Sequence, residues 1–235
     1  MIRVRVLQNL TPDGPGYLGR WLSAQGVAYD TFDTEAGQAY PEHITGYDAL
    51  ALLGGEMSAN DDLPSLRQAE RLILQAMEAD VPVIGHCLGG QLMARALGAR
   101  ITRSPEPEIG WQTMTVAKTP PARAWFGEAR ALTVYHWHQE SFALPAGAEL
   151  LASTAACPNQ AFAIGRHLAM QFHVEVDATK LATWSASRDP AYLRLQQAHP
   201  RTVQSGPTMR AQAAQALAAQ QRLADRLYRR WLGFV

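Results

Sequence analysis

The segment Val81-Pro82-Val83-Ile84-Gly85-His86-Cys87-Leu88-Gly89-Gly90-Gln91 constrains the fold more than any other part of the chain. An apolar run stops at Gly85, a cysteine follows between glycines, and small and apolar residues resume at once. This is the pattern of a G-x-S-x-G strand-to-helix elbow, with Cys in place of Ser. A turn that sharp presses backbone segments together, so glycines must flank the nucleophile. It lifts the sulfur above the sheet edge, near the positive end of a helix dipole, where thiolate is favoured over thiol. The N–H of Leu88 is then placed to stabilise an oxyanion. The competing reading of Cys87 is a buried, inert thiol, and the turn context weighs against it.

The flanking sequence fits such an elbow. Ile2 to Leu7 and Val27 to Phe32 read as strands, with Tyr17 to Ala24 as a helix between them. Tyr47 to Leu53 ends in a continuous apolar run suited to a strand buried on both faces. Leu63 to Ala79 places Leu66, Ala69, Leu72, Ile73, Ala76 and Met77 on one helical face. Val81 to Ile84 is a strand, Gly89 to Leu97 a helix and Ala99 to Thr102 a strand. From Trp111 to Phe172 strand signals dominate, and Gly165-Arg166 reads as a hairpin-like turn. The alternation predicts an α/β fold: a mostly parallel central sheet with helices on both faces. Residues 177–235 read as a helical C-terminal extension of a single domain spanning 1–235, one that would cover the site or mediate a homodimer.

Composition excludes several classes of function. Among 235 residues, Lys plus Arg number 21 and Asp plus Glu number 21, so no strong positive field is available for nucleic acid. The arginines at 222, 226, 229 and 230 read as a solvated helix face. No apolar run approaches the roughly 18 residues of a membrane span. Two cysteines make no disulfide framework, and Met1 to Leu7 lacks a signal-peptide layout. The expectation is a soluble, cytoplasmic protein that binds neither membrane nor nucleic acid.

A thiolate nucleophile needs a base, and the base needs an orienting group. Of seven histidines, His173 stands out, since Ala169 to Phe172 leads into it as a strand and Glu175 lies two residues on. In an extended segment residues i and i+2 share a side. Cys87, His173 and Glu175 are therefore candidates for a catalytic triad. The plainer reading, a solvated strand end with an incidental His and Glu, stays open at this point. His136 and His138 also share a face if extended, but the sequence offers no obvious third ligand, so no metal is expected. Cys157, followed by Pro158-Asn159, reads as a bystander in a turn.

Taken in order, several segments resemble the class I glutamine amidotransferase family, and within it stand-alone domains similar to the amidotransferase part of GMP synthase. They are Leu52-Leu53-Gly54-Gly55, Gly85 to Gln91, Glu108 to Trp111, Trp137 to Pro145, and Gln171 to Glu175. The resemblance implies a flavodoxin-like fold and a thiol attack on the side-chain amide of glutamine, giving glutamate and ammonia through a γ-glutamyl thioester. It implies that Cys87 is the nucleophile, His173 the base and Glu175 its support. The N–H groups of Gly55 and Leu88 would form the oxyanion hole. Gln91 would help bind glutamine, and the Ser141-Phe142 backbone would meet its α-amino and carboxylate end. No cofactor is implied.

Two positions depart from the family pattern. Glu56 stands where proline usually follows the paired glycines, which leaves the oxyanion loop freer to flip. Val174 replaces the proline between His173 and Glu175. After residue 176 no P-loop is seen, so a synthase partner would sit on a separate chain. The same triad would equally serve a γ-glutamyl hydrolase or peptidase acting on γ-glutamyl peptides or amines, and a non-enzymatic binding module that kept the fold is the third reading.

Overall fold

The structure is a computed structural model, and it describes residues 2–234. Nine strands form one sheet. Five run parallel in the order β2 (Ala28–Asp33), β1 (Arg3–Gln8), β3 (Ala49–Leu52), β4 (Val83–His86), β9 (His167–Met170). Four more extend the sheet antiparallel from β9: β8 (Ala161–Ile164), β7 (Glu149–Ser153), β5 (Ile101–Val116) and β6 (Ala131–Phe142). Among the described residues, no helix is long and apolar enough to cross a membrane.

The inner parallel strands β1, β3, β4 and β9 are buried on both faces, and their alternation sorts the core. Val4, Val6, Ala49, Ala51, Ile84, Leu168 and Met170 face one cluster, while Leu50, Leu52, Val83 and Ala169 face the other. The first cluster is closed by α1 (Gly16–Ala24), α4 (Pro120–Phe126) and the last helix, α7 (Gly206–Leu232). The second is closed by α2 (Pro64–Glu78) and α3 (Leu88–Ala96). A third, smaller cluster joins β5 and β6 to α5 (Ala178–Ser185), α6 (Pro190–Ala198) and the start of α7.

Three local expectations need revision. Ala99 to Thr102 and Gln112 to Val116 belong to one long strand, β5, which carries an irregularity between Arg103 and Glu108. The strand signals hid α4, where Thr119 caps the helix by accepting from the Ala122 N–H at 3.3 Å and two prolines open it. The strand expected over His167 to Phe172 ends at Met170. Beyond it the chain leaves β9, and the His173 N–H donates to the Tyr135 carbonyl of β6 at 2.8 Å. Gly165-Arg166 does form the turn between β8 and β9.

Helices α5 to α7 follow residue 177 and pack in two places. α5 and α6 pack beside the carboxyl end of the sheet, whereas α7 sends Leu223, Leu227, Tyr228 and Trp231 into the main core. Trp231 is fully buried. Trp231→Ala should cost about 3–5 kcal/mol of stability. Thermal unfolding followed by circular dichroism should show a drop of roughly 6–20 °C.

Candidate active site

β1, β3, β4 and β9 deliver Asn9, Gly54-Gly55, Cys87 and His173 to one place, the carboxyl edge of the parallel strands, where open α/β sheets build their sites. Cys87 sits between β4 and α3 with φ 49° and ψ −108°. This is a left-handed conformation that side-chain-bearing residues rarely adopt, at a cost of order 1–3 kcal/mol. The surroundings hold it there. Its N–H donates to the Met170 carbonyl at 2.9 Å, and its carbonyl accepts from the Gln91 N–H at 2.9 Å. Gly89 makes the turn feasible, since a Cβ there would lie 2.5 Å from the Leu52 carbonyl oxygen.

The Cys87 sulfur lies 3.7 Å from the Trp137 carbonyl oxygen and 3.6 Å from Gln171 Nε2. His173 Nδ1 is 2.6 Å from Glu175 Oε1, which leaves Nε2 as the ring nitrogen free to work with the thiol. Gly54 marks where these groups converge. A Cβ there would sit 2.9 Å from His173 Cε1 and 3.8 Å from Cys87 Cβ. Glu175 and His173 are both buried, which removes the solvated-strand reading. Their proximity does not come from strand alternation, because both lie in the irregular segment after β9.

Burial opposes the charge on His173, but the Glu175 carboxylate outweighs it, helped by Cys87, and holds the imidazole pKa well above its ordinary value. Burial likewise opposes the charge on Glu175, and His173 and His86 together hold its pKa well below the usual carboxylate range. The Trp184 ring of α5 meets the His173 ring edge-on at 4.9 Å, and its Nε1 donates to Asp13 at 2.7 Å. His86, one residue before the cysteine, rests its Nδ1 3.2 Å from the Leu52 carbonyl and its Nε2 3.5 Å from the Tyr228 hydroxyl of α7. Burial lowers its pKa, against the pull of Glu175.

Gly55 and Leu88 face each other: a Cβ on Gly55 would lie 2.8 Å from Leu88 Cδ2. Among the described residues neither backbone N–H donates to a protein acceptor. Gln91 donates to the Glu140 carbonyl at 3.1 Å and to Gln171 Oε1 at 3.3 Å, so it connects to the sulfur through Gln171. Ser141 and Phe142 pair with Thr102 and Ile101 in the β5–β6 ladder, and the Phe142 ring is in the core. Glu140, the residue before them, accepts from Gln91. Glu56 is exposed and Val174 is buried in the main core. Asn9 and Trp184 contribute to the site without standing out in the sequence. Gln171 and Trp137 also contribute, and each lies in a segment that resembles the family.

The structure also brings Glu108 to His136 and His138, the third donor the sequence did not reveal. Glu108 pairs across the ladder with His138, and His136 lies two residues along on the same face. His138 Nε2 is 3.1 Å from Glu108 Oε2, and Gln160 Nε2 also donates to that carboxylate. Burial pushes the His136 pKa down to about 3, against the pull of Glu108. Neither ring nitrogen of His136 has an acceptor among the described residues, whereas metal-bound imidazoles are almost always oriented by one. Cys157 is buried, and burial pushes its thiol up to about 11.

The family profile described as "Glutamine amidotransferase class-I" matches residues 20–184. The chain is 34% identical to the putative glutamine amidotransferase-like protein YfeJ of Salmonella typhimurium, over 74% of this chain and 77% of that one. It is 29% identical to γ-glutamyl peptidase 3 of Arabidopsis thaliana (68% and 69% covered). It is also 29% identical to a glutamine-hydrolysing GMP synthase subunit of Thermoplasma acidophilum (58% and 68%). A crystal structure of a glutamine amidotransferase from Methylobacillus flagellatus superposes with a TM-score of 0.89 at 31% identity, covering 100% of this chain and 96% of that one. With a family match over most of its length and a fold shared end to end, the chain belongs to the class I glutamine amidotransferases.

Proposed function

We propose that the protein hydrolyses the side-chain amide of glutamine to glutamate and ammonia through a thioester on Cys87. The observation that carries this reading is the strained Cys87 backbone, which sets the sulfur against a buried His173–Glu175 pair. Cys87 attacks the amide carbon, and the developing oxyanion is met by the N–H groups of Gly55 and Leu88. His173 gives a proton to the leaving nitrogen, ammonia departs, and the γ-glutamyl thioester remains. Water then attacks the thioester carbon and yields its proton to His173, and glutamate leaves as the sulfur recovers its electron pair. Glu175 keeps the imidazole in the orientation and charge state this exchange needs. Gln91 helps to seat the substrate, with the Ser141-Phe142 backbone proposed to meet its α-amino and carboxylate end. A synthase on a separate chain would use the ammonia, as the similarity to a GMP synthase subunit supports.

A second reading keeps the triad and changes the leaving group to the amine of a γ-glutamyl peptide or amide. Similarity to a γ-glutamyl peptidase favours it, as do the half-buried ring of Trp184 against His173 and the half-buried ring of Trp137 packed on Trp184. Release of glutamate from glutamine, γ-glutamyl peptides and γ-glutamyl amines, measured side by side, separates the two. Turnover of glutamine supports the amidotransferase reading, and turnover of peptides or amines alone replaces it with the second.

Cys87→Ala and Cys87→Ser should lower turnover by about 10⁴-fold or more with the circular dichroism spectrum unchanged. Hydrolysis retained in Cys87→Ala would defeat the mechanism. Glu175→Gln removes the charge that outweighs burial at His173, so the imidazole pKa should fall. Imidazole nitrogen NMR across a pH series reads that fall directly, and turnover should drop by about 10²–10⁴-fold alongside it.

A further inference from the structure

The paired glycines that carry one oxyanion donor have little to hold them. Gly54 and Gly55 lack side chains, and the residue after them is the exposed Glu56. A peptide unit between two glycines rotates cheaply. If it turned over, the Gly54 carbonyl would replace the Gly55 N–H and the oxyanion would meet an acceptor.

Asn9, at the end of β1, supplies what the loop lacks. Asn9 is 3% exposed. Nδ2 donates to the Leu53 carbonyl at 3.3 Å and to the Gly54 carbonyl at 3.0 Å. Oδ1 accepts from the Tyr40 hydroxyl at 2.9 Å, and that hydroxyl also reaches the Gln8 carbonyl at 3.0 Å. The Leu53 and Gly54 carbonyls can only accept, so Nδ2 must face them and Oδ1 must face the Tyr40 hydroxyl, which gives the amide one consistent orientation. Every peptide bond among the described residues is trans, and in a trans peptide the C=O and the following N–H point in opposite directions. Tying the Gly54 carbonyl to Asn9 therefore turns the Gly55 N–H away from Asn9. Gly54 itself lies against Cys87 and His173.

We propose that Asn9, backed by Tyr40, is the positioning residue that sets the Gly54–Gly55 peptide with its N–H presented to the oxyanion. This rests on the reading of Gly55 as an oxyanion donor. Reversal of the peptide would break the Asn9–Gly54 bond and leave a buried amide hydrogen unsatisfied, which is costly in a dry site.

The test compares Asn9→Ala and Tyr40→Phe with the wild-type protein. Asn9→Ala should lower kcat for glutamate release by about 10- to 100-fold, up to the size of losing one oxyanion donor, with KM within about threefold. Tyr40→Phe should move kcat the same way by a smaller factor. Alkylation of Cys87 by iodoacetamide develops no oxyanion, so its rate should not change in either variant. An unchanged kcat, or a parallel fall in kcat and alkylation, overturns the proposal. A crystal structure of Asn9→Ala gives a readout independent of turnover. A rotated Gly54–Gly55 peptide supports the proposal, and an unmoved one sinks it. If the wild-type protein turns over no γ-glutamyl substrate, the functional reading falls, while the peptide orientation still decides the role of Asn9.

Discussion

The site depends on one unfavourable backbone conformation. Cys87 holds a positive φ because β4 must end, turn and start α3 within a single residue. That turn survives only where neighbouring backbone can come very close, which is why glycine follows at 89 and 90, packed against Leu52 and Met170. The compensation comes from elsewhere: the hydrogen bond to Met170, the first turn of α3, and a core of fully buried aliphatic residues on both faces of the strands. Strain at Cys87 is tolerated because the sheet around it is over-determined.

The second constraint is electrostatic. A carboxylate and an imidazole are buried together, and each stabilises the charged form of the other against desolvation. Isolated, either would be costly. The pair is braced from several directions, by the ring of Trp184, by the backbone bond to Tyr135, and by His86, which α7 reaches through Tyr228. A helix that reads in sequence as an appendage thus contributes to the wall behind the site.

Much of this is legible in the residues. The parallel half of the sheet follows from apolar runs separated by amphipathic helices, and Cys87 announces itself through its glycines. His173 and Glu175 emerge from the sequence for a partly wrong reason. Strand alternation predicts their alignment, yet the chain leaves β9 at Met170 and an irregular segment brings them together. Patterns of period 2 and 3.6 report regular elements, and they are silent about such segments. The same blindness hides α4, whose Thr-Pro-Pro start sits among strand-forming residues, and the joining of two short strand signals into β5 across prolines 105 and 107. The role of Asn9 and the pairing of Glu108 with His138 do not show in sequence, because Gly54 and His138 are distant along the chain from their partners and only strand pairing brings them together.

The hydrogen bond from Cys87 to Met170 spans two halves of the chain, and the one from His173 to Tyr135 ties the later half to an outer strand. Both close only after strands remote in sequence have paired, and non-local pairing of that kind carries the largest loop-closure cost during folding. The reactive arrangement is therefore a late product of chain assembly. In a nascent or partly unfolded copy Cys87 and His173 lie apart, and they meet only with the completion of the native topology.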